Sequence, residues 1–211
     1  DDGKPRELGT PPFKLSSSQV DIKKSRFKYI DENLEKPTIL NFDSLNISAD
    51  NFLILGPEVT ADIRDMSLYS DRGLKVNKLA TNFKYTKQQM RFDSLKINTP
   101  LSELDGNLVF NYNREDFRDF LNKVNVIADF KESKVAFDEI NLLYNEFGKG
   151  KEVTFSANIN GVLNDLNTNN LFLFSDNTGI RGDFNFKNLF SKQKPFSLNA
   201  EMKNVTSSYY Q

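Results

Sequence analysis

The sequence predicts an all-β protein built as an elongated antiparallel sheet with one apolar face, and one short helix near residues 114–122. Apolar residues alternate with polar ones along most of the chain, which is the period of a strand with one buried face. The phrase FDSLNI at residues 42–47 returns as FDSLKI at 92–97, with a looser copy, FDEINL, at 137–142. Self-similarity at a long period indicates a repeat architecture.

Phenylalanine is unusually frequent, with 19 copies against 3 methionines. The mean hydropathy is nevertheless polar, at −0.55. Bulky apolar residues inside a polar average indicate that they are concentrated on one side of the sheet.

The first half of the chain contains the elements in the following order. Residues 1–12 hold three prolines and two glycines and are predicted to be a flexible leading segment. Residues 13–211 are predicted to form one repeat-built β-groove, a fragment of a longer protein. Turns are expected at Gly56-Pro57 and at residues 71–73. The alternation skips a position near residues 16–18 and again at 43–44, which indicates bulges or turns.

The second half contains the one predicted helix. Asn113 is a suitable N-cap, Asp116 follows at the third helical position, and apolar residues then recur at helical spacing over residues 117–124. Strand alternation resumes over 126–130, 135–142, 153–159, 171–173, 180–186 and 196–202. The phrase at 106–110 resembles that at 182–186, each with a glycine inside a strand, which marks a bulge or a close backbone approach. In total we expect about a dozen to fifteen strands in an antiparallel meander.

The composition argues against an enzyme. Histidine, cysteine and tryptophan are absent, which removes the usual neutral-pH acid/base group, the commonest metal ligand and the thiolate nucleophile. No nucleophile-elbow, P-loop or dinucleotide-binding pattern occurs. We therefore predict no catalytic residues, no metal and no cofactor. The formal net charge of −1 also makes nucleic acid an improbable partner, because phosphate-binding proteins show a basic excess.

The alternating apolar residues have two interpretations. They form either the core of an ordinary β-sandwich or a face left open as a groove, and periodicity alone does not separate the two. A register error of one residue would turn any strand over. The residues predicted to face the groove are Leu45, Ile47, Leu95, Ile97, Leu108, Phe110, Ile140, Leu142, Phe155, Leu171, Leu173, Phe184 and Phe186.

Several phrases together resemble a known family. They are FDSLKINTPLSELDGNLVFNY at 92–112, DFRDFLNKV at 116–124, FDEI at 137–140 and INGVLNDL at 159–166. This combination of sequence phrases, spanning roughly residues 13–210, is similar to that of the TamB-type translocation and assembly proteins of Bacteroidota, within the AsmA-like superfamily.

The resemblance implies a periplasmic protein with a half-pipe sheet. Such proteins are held in the inner membrane by an anchor segment not present here, and they engage an outer-membrane barrel of the TamA or TamL type through a region also not present here. The implied function is to carry phospholipid acyl chains along the groove between the two membranes. One alternative is a scaffold or chaperone that assists outer-membrane barrel assembly, and a second is a β-sandwich adhesin or binding module.

Two serines are candidates for modification. Asp43-Ser44-Leu45 and Asp93-Ser94-Leu95 look similar to the O-glycosylation sequence of periplasmic proteins in Bacteroidota, so Ser44 and Ser94 are candidate glycosylation sites. The alternative is that each Asp-Ser pair forms a small kink in its strand.

Overall fold

In the described part of the chain, eleven antiparallel strands form one open sheet, and their order in the sheet is their order along the chain. The computed structural model describes residues 11–31, 38–142, 148–191 and 193–207. The predicted fold class is confirmed. The strands are β1 Lys14–Asp31, β2 Thr38–Leu55, β3 Glu58–Ser70, β4 Lys75–Tyr85, β5 Gln89–Asn98, β6 Glu103–Asn111, β7 Asn125–Ala136, β8 Glu152–Val162, β9 Asp165–Ser175, β10 Thr178–Lys187 and β11 Ser197–Ser207.

The described residues contain eleven strands, fewer than the dozen to fifteen expected for the chain, because some irregularities do not end a strand. β1 and β2 each run for 18 residues, and the skipped positions near residues 16–18 and 43–44 lie inside them. A register shift accompanies the second position, whereas β1 keeps one register with β2 from Lys14 to Ile22, so the bulge expected near 16–18 is absent from this pairing. The predicted turns at Gly56-Pro57 and at residues 71–73 do separate strands. A bulge adds one residue to a strand and leaves the strand continuous, so the sequence pattern breaks where the strand does not.

Irregularities of register occur across the whole width of the described sheet. Each of the ten strand pairings contains at least one shift of register. Bulges bend the strand that carries them and increase its twist. Because such shifts occur in every pairing, the curvature is distributed over the sheet.

The predicted helix is present between β6 and β7. A 3-10 helix, Arg114–Asp119, continues into α1, Phe120–Lys123; together they are called the helical segment. As expected from the sequence, the Asp116 carboxylate accepts a hydrogen bond of 2.6 Å from the backbone N–H of Asn113. The helical segment lies at the end of the sheet where β6 ends and β7 begins.

A second helical turn, α2, occupies Phe137–Ile140, at the opposite end of the strands. The prediction that Ile140 and Leu142 alternate on a strand is therefore wrong: Ile140 ends α2 and Leu142 lies in the turn after it. The carboxylate of Glu139 explains the difference, because it accepts hydrogen bonds of 2.5 Å from the hydroxyls of Thr99 and Ser102 in the β5–β6 turn. A strand at this position would carry the carboxylate away from both hydroxyls.

Two further points concern the leading segment and the helices. The predicted leading segment, residues 1–12, lies outside the described residues except for Pro11 and Pro12, which belong to no helix or strand. Among the described residues, every helix is too short and too polar to span a lipid bilayer.

Candidate functional site: the apolar face

The strand register divides the sheet into two chemically different faces, because directly paired residues project from the same side. Successive pairings connect one unbroken row across all eleven strands, and its members are apolar or aromatic except for one glycine. The row is Leu15, Ile54, Val59, Tyr85, Met90, Phe110, Val126, Gly161, Leu166, Phe186 and Leu198. The side of the sheet that carries this row is called the apolar face.

A second row lies beside the first and continues it toward the middle of the strands. It runs through Ala61, Phe83, Phe92, Leu108, Ala128, Ile159, Thr168, Phe184 and Ala200. At the usual spacing of about 4.8 Å between strands, the ten intervals of the first row span about 48 Å and the eight intervals of the second about 38 Å. The apolar face therefore runs across the strands as a continuous band.

The structure places the predicted groove residues that lie on strands together on this face. Phe110 and Phe186 belong to the first row, and Leu108 and Phe184 to the second. The other members on this face are Leu45, Ile47, Leu95, Ile97, Phe155, Leu171 and Leu173. Ile140 and Leu142 are the exceptions described above, since they lie beyond the strand ends.

Sequence reasoning missed the small residues at the centre of the face. Ala49, Ala61, Thr81, Ala128 and Ala157 are each at most 8% exposed. The available signal was that each occupies an apolar position of the alternating pattern. Small side chains suit the inside of a bend, where neighbouring strands bring their side chains closest together.

Burial on a single sheet indicates that the apolar face is concave. Phe184 is 5% exposed, although its packing partners lie on the same side of the same sheet. Those partners are Phe155, Ala157, Ile159, Leu171, Leu173, Ile180 and Phe186. Side chains projecting from a convex surface diverge, so their closure around Phe184 favours a surface that curves toward them.

The same backbone arrangement occurs at two bulges of the sheet. Ser94 and Asn170 have φ of +52°, and each is the extra residue of a bulge. The N–H of Ser94 donates to Asn107 Oδ1 at 2.9 Å, and the N–H of Asn170 donates to Asp183 Oδ1 at 2.7 Å, with a sequence separation of 13 in both cases. The side chain from the next strand replaces the ladder partner that the bulge removes. The glycine preceding each acceptor pairs with the leucine that follows the bulge.

Both candidate glycosylation serines lie at bulges. Ser44 has φ of +57° and, like Ser94, is exposed in a bulged strand. The kink expected from each Asp-Ser pair is therefore present. Glycosylation of Ser44 and Ser94 stays a prediction.

The opposite side of the sheet, called the polar face, carries the charges. Charged side chains that the structure describes within the paired register all project from it. Lys203 Nζ lies 2.7 Å from Asp183 Oδ2, and this hydrogen bond, aided by the N–H of Asn170, lowers the pKa of Asp183. A shallow depression of about 540 Å³ on this face is lined in part by Lys78, Lys96 and Glu103. Among the described residues, no cluster of acidic side chains has an arrangement that could hold a metal ion.

Aromatic side chains close one rim of the apolar face. Phe92 and Phe110 lie 6.2 Å apart between ring centroids, and Phe110 lies 5.7 Å from Phe120 of the helical segment. The N–H of Asn164, in the β8–β9 turn, donates to the Leu121 carbonyl at 3.0 Å. The helical segment therefore reaches from β6 to the turn after β8 and lines that rim.

Comparison with known proteins gave no relative: no family model matches the sequence, and no curated protein or solved structure matches the chain.

Proposed function

We propose that the apolar face binds the acyl chains of phospholipids and lets them move along its rows, as a segment of a bridge between the inner and outer membranes. The observation that carries the proposal is the eleven-strand row of apolar side chains on a sheet with no second protein layer among the described residues. The resemblance to TamB-type proteins supports the membrane context and a barrel partner of the TamA or TamL type.

The energetics favour a sliding ligand. Removing one methylene from water is worth about 0.8 kcal/mol. A tail that advances along a row exchanges one set of apolar contacts for another, so each step keeps most of this free energy. The hydrocarbon core of a bilayer is about 30 Å thick for two leaflets, so one tail occupies about 15 Å. A row of about 48 Å then accommodates about three tails end to end.

Exposure at both ends of the long row supports access. Leu15 on β1 is 49% exposed and Leu198 on β11 is 46% exposed, whereas the middle of the face is largely buried by its own side chains. A tail can therefore contact the apolar face at either outer strand of the described sheet.

A scaffold for barrel assembly is the second candidate. β1 and β11 are the outer strands of the described sheet, and an unpaired strand edge can accept an extended strand from another protein. Crosslinking to unfolded outer-membrane proteins in place of lipid would favour it. The sandwich alternative predicted two packed sheets, and the described strands form one sheet.

The test combines native mass spectrometry of the purified chain with a matched pair of variants. We expect co-purified phospholipid. Leu198→Glu puts a charge into the long row, whereas Asn199→Glu puts the same charge on the polar face one residue away. Both positions are exposed on β11, so neither substitution disturbs packing.

The expected effect follows from lost contacts. If the charge removes apolar contact from about two methylenes, binding weakens by about 1.6 kcal/mol, or roughly 15-fold. Asn199→Glu should leave binding unchanged. Absence of phospholipid from the wild-type chain, or equal lipid binding by the two variants, would contradict the proposal.

A further inference from the structure

Two buried hydroxyl groups on the apolar face, those of Thr81 and Ser133, are already hydrogen-bonded to backbone. Thr81 Oγ1 donates to the carbonyl of Asp93 at 2.9 Å. Ser133 Oγ accepts from the N–H of Asp105 at 3.1 Å. Thr81 and Ser133 are 4% and 2% exposed, respectively, so neither hydroxyl is presented to a ligand.

These hydrogen bonds occur where bulges interrupt the ladder. Asp93 precedes the left-handed Ser94, and Asp105 lies in the interval where the β6–β7 register shifts. A bulge leaves backbone groups without their ladder partner, and a buried group without a partner is costly. The hydroxyls satisfy that backbone need and thus leave the surface above them without a hydrogen-bonding group.

Other buried polar groups do not offer a hydrogen bond to a ligand headgroup on the apolar face. Among the described residues, the one buried side-chain oxygen or nitrogen without a hydrogen bond is Asn41 Oδ1. Asn41 lies next to Phe42, whose side chain is on the apolar face, so the Asn41 side chain projects to the other side. The charged side chains are also on the polar face, as described above.

We infer that the apolar face recognises hydrocarbon chains without reading the polar headgroup. This inference rests on the proposed function. A headgroup bound here stays in solvent, because the paired residues of the described strands place no charge on this face and its buried hydroxyls, those of Thr81 and Ser133, are already hydrogen-bonded. Affinity then depends on tail length, and the ligand class is any single- or double-chain amphiphile whose tail fits the rows.

The test uses lysophospholipids that share one tail but carry phosphocholine, phosphoethanolamine or phosphoglycerol. Each is used below its critical micelle concentration to displace a fluorescent fatty acid from the purified chain. We expect dissociation constants within about threefold of one another, and a tightening of roughly 15-fold for every two methylenes added to the tail. A preference above tenfold for one headgroup at constant tail length would overturn the inference.

A variant separates the buried hydroxyl from ligand recognition. Thr81→Val removes the donor to the Asp93 carbonyl and should lower stability while leaving the ratios among the three lysophospholipids unchanged. A change in those ratios would show that the hydroxyl contacts the headgroup and would overturn the inference. If none of the lysophospholipids binds, the proposed function itself fails, which is a different outcome from headgroup selectivity.

Discussion

Gly106→Ala tests the register that creates the apolar face. A Cβ at Gly106 would lie 2.3 Å from the carbonyl oxygen of Asp129 and 2.9 Å from Cα of Phe130 on β7. Both contacts are with main chain and cannot be relieved by a side-chain rotation. Gly148 provides a matched control, because its nearest contact would be Lys151 Cγ at 3.8 Å.

The expected change in the free energy of unfolding follows from two opposing effects. Replacing glycine by alanine stabilises by about 0.4–1 kcal/mol through the unfolded chain where the native conformation accepts it. Overpacking costs about 1–3 kcal/mol, and at Gly106 we take the upper end because β6 and β7 must separate. We therefore expect Gly106→Ala to be about 2 kcal/mol less stable than wild type and about 3 kcal/mol less stable than Gly148→Ala.

Urea unfolding followed by circular dichroism measures both variants under the same conditions. Equal m-values would show that the two variants expose a similar surface area when they unfold, so their urea midpoints can be compared. If Gly106→Ala is as stable as Gly148→Ala, β6 and β7 do not approach as closely as described. The pairing that puts Leu108 and Phe110 on the apolar face would then be wrong.

Three other perturbations have defined outcomes. Asn107→Ala removes the acceptor for the Ser94 N–H and should lower the free energy of unfolding by about 1 kcal/mol in urea titrations, since water reaches this exposed bulge. Glu139→Ala releases the turn that holds α2. Because the Ala136 N–H donates to Ser102 Oγ of that turn at 3.0 Å, its hydrogen exchange should accelerate; unchanged exchange would refute the role assigned to the carboxylate. Burial raises the pKa of Tyr112 to about 12. Because the unfolded tyrosine loses its proton near pH 10, stability should be full below pH 10 and fall between about pH 10 and 12, and the absorbance titration of Tyr112→Phe should lack that late step.

The amino-acid pattern determined the class of the fold and most of the candidate face. Alternation is a local property with period two, so the strand positions at Leu108, Phe110, Phe184 and Phe186 were assigned to one side correctly. The bulge at Asp43-Ser44 was also predicted, because an extra residue shifts the alternating pattern visibly.

The third copy of the repeat shows why a phrase alone does not fix its structure. The phrase at 42–47 forms strand with a bulge, as does the phrase at 92–97, whereas the similar phrase at 137–142 contains α2. The deciding contacts are between Glu139 and the hydroxyls of Thr99 and Ser102, 40 and 37 residues away. No property of the phrase itself encodes those partners.

The sequence by itself determined where polar and apolar side chains alternate and where that alternation slips. Tertiary structure decided that each slip remains inside a strand, since the adjacent strand stabilises the bulges at Ser94 and Asn170 by supplying an oxygen from Asn107 and Asp183, respectively. It also decided that the apolar side chains line a single concave sheet. Curvature and layer number depend on how neighbouring strands pair, and pairing is a relation between distant segments.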